Sequence, residues 1–190
     1  CAYCDFYSVA GRPDLVPAYV DAVLQEARGR AGLSFETLYL GGGTPSLLGA
    51  GDLKRLVEGL AQSFDLSRLA EATIEVNPDS ASEDRLCAAL ELGLGRVSIG
   101  VQSLSDPELR SVGRAHSARQ AAEAVSRAVG MGFPDVSADV MAGLPGQRSV
   151  QGTLREVAAR IEVVDVLCGG VGQAVHGGAA QSALMLALHL

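Results

Sequence analysis

An α/β fold of parallel strands, forming a full or partial TIM-like (β/α) barrel, is what this sequence predicts, and three observations predict it. Short apolar runs of strand length alternate along the chain with segments of helical period, the signature of successive βαβ units. About five such units follow one another with no long connection that would reverse the topology, which favours a barrel over a doubly wound sheet. The glycine-rich and polar text collects just after the strand-like runs, where a barrel places its chemistry.

Taken in order, DLVPAYVDAVLQEARGR (14–30) reads as a helix and ETLYL (36–40) as the first strand. Gly-rich text follows, then DLKRLVEGLAQSF, with Leu53, Leu56, Val57 and Leu60 at helical spacing. ATIEVNP (72–78) is the second strand, stopped by Asn-Pro, and SEDRLCAALELG the next helix, with Ser82 as N-cap and Gly93 as stop. RVSIGVQS (96–103) is the third strand, followed by a short helical piece and the longer ARQAAEAVSRAVGMG. DVSADVMAGLPGQ (135–147) supplies the fourth strand, TLREVAARI a helix, and VVDVL (163–167) a fifth strand.

A chain of 190 residues with 48% hydrophobic content can bury the core of one domain. Aromatics make up 4% and Trp is absent, so that core is aliphatic. A formal net charge of −7 and a pI of about 4.9 argue against a nucleic-acid binder, which needs a basic face. They leave room for a local basic pocket. Four scattered cysteines are too few for a disulfide framework and point to a reducing, cytoplasmic compartment. No stretch reaches the ~18 uninterrupted apolar residues of a transmembrane segment, and the final ALMLALHL is too short. No signal peptide is visible.

Several motifs carry candidate chemistry. GGGTP (41–45) follows the first strand; consecutive glycines let a ligand approach the main chain, and a tight βα turn would need the same residues. It is neither a Walker loop nor GxGxxG. Glu75 stands where the second strand leaves the sheet, a place to hold hydroxyl or ammonium groups, although an isolated acid there is more often solvated. Gln102 closes an otherwise apolar strand, and Asp139 interrupts one between Ala138 and Val140, where a buried carboxylate needs a partner. Arg114 is the candidate for an anionic group, against the common case of a solvated arginine at a helix end. The opening C-x-x-C, Cys1 and Cys4 in CAYCDF, suits half a disulfide, half a zinc site, a redox dithiol or part of an iron–sulfur loop.

CAYCDF, YLGGGTPSLL, ATIEVNPDS, RVSIGVQS, VGRAHS and VSADVMAGLPGQ occur in this order and at these intervals. Together they resemble the radical S-adenosylmethionine (SAM) proteins of the oxygen-independent coproporphyrinogen III oxidase family, over roughly residues 1 to 160. Within it they are most similar to the haem-chaperone branch, HemW. The resemblance implies a radical SAM core, here partial, with a [4Fe–4S] cluster bound through a C-x3-C-x2-C loop. Cys1 and Cys4 match its second and third cysteines; the first would lie four residues upstream of Cys1. Neither Cys87, which reads as a small core residue within a helix, nor Cys168 stands where it could replace it.

By the same resemblance, Gly42, Gly43 and Thr44 would line the methionine part of SAM. Glu75, Gln102, Arg114 and Asp139 would hold it, Arg114 at its carboxylate and the acids at ammonium and hydroxyl groups. The implied chemistry is reductive cleavage of SAM, with an electron donor feeding the cluster. The oxidase proper usually has a further Cys two residues after the third cluster Cys, whereas this chain has Phe6, as in the haem-chaperone branch. The expected partner is therefore haem, with porphyrinogen oxidation as the alternative. After about Ile161 the text stops matching, so residues 1–161 are expected to form a partial radical SAM core domain and 162–190 a divergent tail. His176 and His189 in that tail read as incidental. The 190 residues taken alone are expected to be an incomplete barrel without activity.

Overall fold

The computed structural model describes residues 11–147, 149–161, 163–168 and 183–188, the last two stretches as backbone strands. They fall into two compact units. One runs from residue 11 to Glu75 and includes Asp84–Gly95 and residues 183–188; the other comprises Val76–Glu83 with residues 96–147, 149–161 and 163–168.

The first unit contains α1 (Val16–Arg28), β1 (Thr37–Gly42), α2 (Ala50–Ser63), all but the last residue of β2 (Glu71–Val76), all but the first of α3 (Glu83–Glu91) and, far along the chain, β6 (Ala183–Leu188). β1 is central, parallel to β2 from Thr37↔Glu71 to Leu40↔Ile74 and to β6 from Thr37↔Ala183 to Gly42↔Leu188. Leu38 and Leu40 of β1 and Ile74 of β2 are buried, as are Leu53, Leu56 and Leu60, the helical stripe of α2. α1 contributes Val20 and Leu24 and lies close against α2 because Gly59 has no side chain there: a Cβ would sit 2.5 Å from Leu24 Cδ2. Arg55 of α2 completes that pairing, donating to Asp21 at 2.5 Å and to the Pro17 carbonyl at 2.9 Å.

In the other unit are β3 (Arg96–Gln102), α4 (Asp106–Ser111), α5 (Ala118–Gly130), β4 (Asp135–Ala142), α6 (Gln151–Ala158) and β5 (Val163–Cys168). β4 is parallel to β3, starting at Arg96↔Asp135, and to β5, starting at Ser137↔Val163. Every residue of β3 after Arg96 is buried, which is why RVSIGVQ lacks the polar alternation of a one-faced strand. The small residues Ala121, Ala124 and Ala128 form the buried stripe of α5. The Ser117–Gln120 capping box starts that helix, each side chain bonding the other residue's backbone N–H.

The α/β class and parallel strands expected from the sequence are those of the structure, and the elements expected between 14 and 167 are all present. Two features differ. ALMLALHL, left without an element, supplies β6. Cys87, expected in the core, is exposed: Leu86 and Ala89 take the buried stripe of α3, and position 87 lies a hundred degrees round the helix from Leu86. Cys1, Cys4, Cys168's side chain, His176 and His189 lie outside what is described.

Candidate functional site: polar groups at the strand ends

At the end of β1 the chain reads Gly41, Gly42, Gly43. Gly42 has φ +100, a conformation that favours glycine. Its N–H donates to Glu75 Oε2 at 3.1 Å, and Tyr39 Oη donates to Glu75 Oε1 at 2.7 Å. Gly41 makes room for this arrangement: a Cβ there would sit 2.6 Å from Tyr39 Cε1 and 2.9 Å from the Glu75 carboxyl. Glu75 is therefore a half-buried carboxylate fixed by a phenol and a backbone amide, rather than a solvated loop acid. Beyond it Thr44 is extended and precedes the Pro45–Leu47 turn, its carbonyl accepting from Leu47 N.

In the other unit the polar groups gather at the end of β3. The ladder with β4 pairs Ile99 with Ala138 and then Gln102 with Val140, so β3 carries one extra residue there. Such bulges re-aim side chains at strand rims. Gln102 follows the bulge with φ +63, the one positive φ at a non-glycine among the described residues. Its side chain is 4% exposed, and its Oε1 accepts no hydrogen bond among the described residues.

Arg114 reaches the same place from the end of α4. Gly113, at φ +70, stops that helix, and the Arg114 N–H turns back to the Leu109 carbonyl at 3.0 Å, a Schellman-type closure. The guanidinium donates to Asn77 Oδ1 at 2.8 Å. Asn77 is held by a turn in which its carbonyl accepts from Ser80 N and Ser80 Oγ, and Arg127 of α5 fastens that turn by donating to Ala81 O at 2.6 Å. Gly100 leaves the space these groups use: a Cβ would meet Gln102 Nε2 at 3.1 Å, Arg114 Nη2 at 3.2 Å and Asn77 Oδ1 at 3.3 Å. Asp139 is half-buried and accepts from Ser98 Oγ at 3.0 Å. Ser98 and Gly100 share one face of β3 by strand alternation.

His116, two residues after Arg114, is 4% exposed and donates from Nε2 to the Val101 carbonyl at 3.2 Å. Burial pushes its pKa below the usual imidazole value, and the Arg114 charge acts in the same direction.

The structure thus brings Gly42 to Glu75, and Gln102 to Arg114, while Asp139 pairs with Ser98. Sequence reading missed Tyr39, Asn77 and His116, although Asn77 sits in the quoted EVNPD and His116 in VGRAHS. Chemically, the carboxylates can accept from ammonium or hydroxyl groups, the Arg114–Asn77 pair can meet a carboxylate, and the glycine backbone admits a ligand at close range. Among the described residues no group of three His, Cys, Asp or Glu could hold a metal ion.

A model of the radical SAM superfamily matches residues 1–150. The chain belongs to the radical SAM superfamily. It is 35% identical over 147 residues to the heme chaperone HemW of Lactococcus lactis, covering 77% of this chain and 39% of that protein. Escherichia coli HemW is 37% identical over 172 residues, 86% of this chain and 44% of the relative. A mitochondrial radical S-adenosyl methionine domain-containing protein 1 of Bos taurus is 40% identical over 166 residues, 82% and 37% of the two chains. Among solved structures, the radical SAM enzyme coproporphyrinogen III oxidase (HemN) of E. coli superposes with a TM-score of 0.80 at 29% identity, over 90% of this chain and 41% of that one. The chain spans about two fifths of the length of the relatives it matches. Radical SAM membership implies a [4Fe–4S] cluster and SAM as cofactors. The buried Gln102 Oε1, which has no donor among the described residues, fits a polar ligand of the SAM kind; Gly41 and Gly100 let Glu75, Gln102 and Arg114 pack close to the strand ends. No described helix is long and apolar enough to cross a membrane.

Proposed function

We propose that this chain is the SAM-binding core of a HemW-type haem chaperone, acting in the cytoplasm, with residues 1–161 as the core domain. The buried amide of Gln102, whose Oε1 has no donor among the described residues and whose nitrogen packs over Gly100 beside the Arg114 guanidinium, is the observation that carries SAM binding. In this reading Arg114, oriented by Asn77, holds the SAM carboxylate. Glu75 and Asp139 accept from its ammonium and hydroxyl groups, and Gly42, Gly43 and Thr44 line its methionine part. Glu75 already accepts from Tyr39 and Gly42, so its oxygens are pre-oriented and little reorganisation is needed on binding. Cys1 and Cys4 supply two of the three cluster thiolates. When bound and reduced, the cluster supplies the electron that cleaves SAM.

The names of the curated relatives and Phe6, in place of the oxidase's usual fourth cysteine, support the haem-binding reading over porphyrinogen oxidation. The likeness to the E. coli oxidase structure favours the second reading, a coproporphyrinogen III dehydrogenase. Haem titration of anaerobically reconstituted protein that carries all three cluster cysteines, run beside a coproporphyrinogen III turnover assay, separates them. The chaperone reading expects stoichiometric haem binding and no decarboxylation; turnover of the porphyrinogen without haem binding would reverse the assignment.

A further inference from the structure

A second set of polar contacts lies behind Gln102, on residues with no role in the reading above. The left-handed backbone of Gln102 costs free energy for any residue but glycine and persists only where its surroundings impose it. Ser103, which follows it, is fully buried. Ser103 Oγ accepts from Ser105 N at 3.0 Å, so its own proton is free to donate, and it does so to Glu108 Oε2 at 2.6 Å. The same Glu108 oxygen accepts from Gln147 Nε2 at 3.1 Å.

Gln147 is saturated. Its Oε1 accepts from Gly143 N at 2.8 Å and Leu144 N at 3.3 Å, and its Nε2 donates to Met141 O at 3.1 Å as well as to Glu108. Two donors and two lone pairs are all an amide has, and this set fixes which end is oxygen. Glu108 therefore joins two strand exits, that of β3 through Ser103 and that of β4 through Gln147. These are the strands that carry Gln102 and Asp139. A helix of only six residues, α4, holds Glu108 in place.

We propose that Glu108 is a positioning residue: by bonding Ser103 and Gln147 at once, it holds the Gln102 backbone left-handed and so aims the Gln102 amide at SAM. The proposal rests on the SAM reading of Gln102. Glu108 itself touches no ligand and acts only through its neighbours.

The test is a double-mutant cycle on SAM affinity, measured by equilibrium dialysis of anaerobically reconstituted protein that carries all three cluster cysteines, with iron assayed on every sample. Glu108→Ala is expected to weaken SAM binding about tenfold, the scale of one strained backbone residue released, with iron content unchanged. Glu108→Gln, whose carbonyl oxygen can accept both bonds, is expected to stay within about twofold of the parent chain. In a Gln102→Ala background, Glu108→Ala should add less than about twofold, because the amide it aims is gone. Ser103→Ala serves as a second variant should Glu108→Ala fold poorly, and should weaken SAM binding in the same sense. Unchanged affinity in Glu108→Ala, or a loss fully additive with that of Gln102→Ala, overturns the proposal alone. Undiminished affinity in Gln102→Ala instead overturns the SAM reading beneath it.

Discussion

Replacing Gly41 by alanine tests whether the β1 glycines exist to seat Glu75. Gly41 is buried and does not need positive φ, so the alanine backbone is permitted and the cost is steric. The new Cβ would lie 2.6 Å from Tyr39 Cε1 and 2.9 Å from Glu75 Cδ and Oε1, all closer than carbon atoms tolerate. Either the ring or the carboxyl must move, at an overpacking cost of roughly 1–3 kcal/mol. Against this, alanine restricts the unfolded chain and returns roughly 0.4–1 kcal/mol. The net expectation is a loss of about 1–2 kcal/mol, or roughly 3–6 °C in melting temperature for a chain of this size. Urea and thermal unfolding of Gly41→Ala beside the parent measure it. The loss should shrink in a Glu75→Ala background, where the carboxyl no longer obstructs the methyl. A Gly41→Ala protein as stable as the parent would refute the packing argument.

Two further outcomes follow from the same contacts. Tyr39→Phe removes only the hydroxyl that donates to Glu75 and should cost about 1 kcal/mol in urea unfolding; no change would mean the phenol does not fix the carboxylate. Burial keeps the folded-state pKa of His116 below its unfolded value, so below about pH 6.5 the unfolded chain binds a proton that the folded chain does not. Stability should accordingly fall as pH drops below about 6.5 and level off above it, and His116→Asn should flatten that part of the profile; equal profiles for parent and variant would contradict the assignment.

Strands β1 to β5 were legible because each is a short apolar run bounded by turn residues, and the helices because their leucines and alanines repeat at helical spacing. β6 was not, since ALMLALHL has neither alternation nor a turn signal and its partner, β1, lies more than 140 residues earlier. Glu75, Gln102, Arg114 and Asp139 stood out as polar letters in or beside apolar strands. Tyr39, Asn77, Glu108 and Gln147 did not, because what defines them is a partner 36 to 39 residues away in sequence. Cys87 misled for the opposite reason: its apolar neighbours suggested a core position, and only the helical phase decides that it faces outward, its thiol 3.6 Å from Glu91.

SAM affinity measured on samples of known iron content tests the central claim most directly. For anaerobically reconstituted protein that carries all three cluster cysteines, Glu75→Ala and Asp139→Ala should each lose SAM binding while iron content stays at the parent level. SAM binding that survives both substitutions, with iron equally retained, would contradict the account.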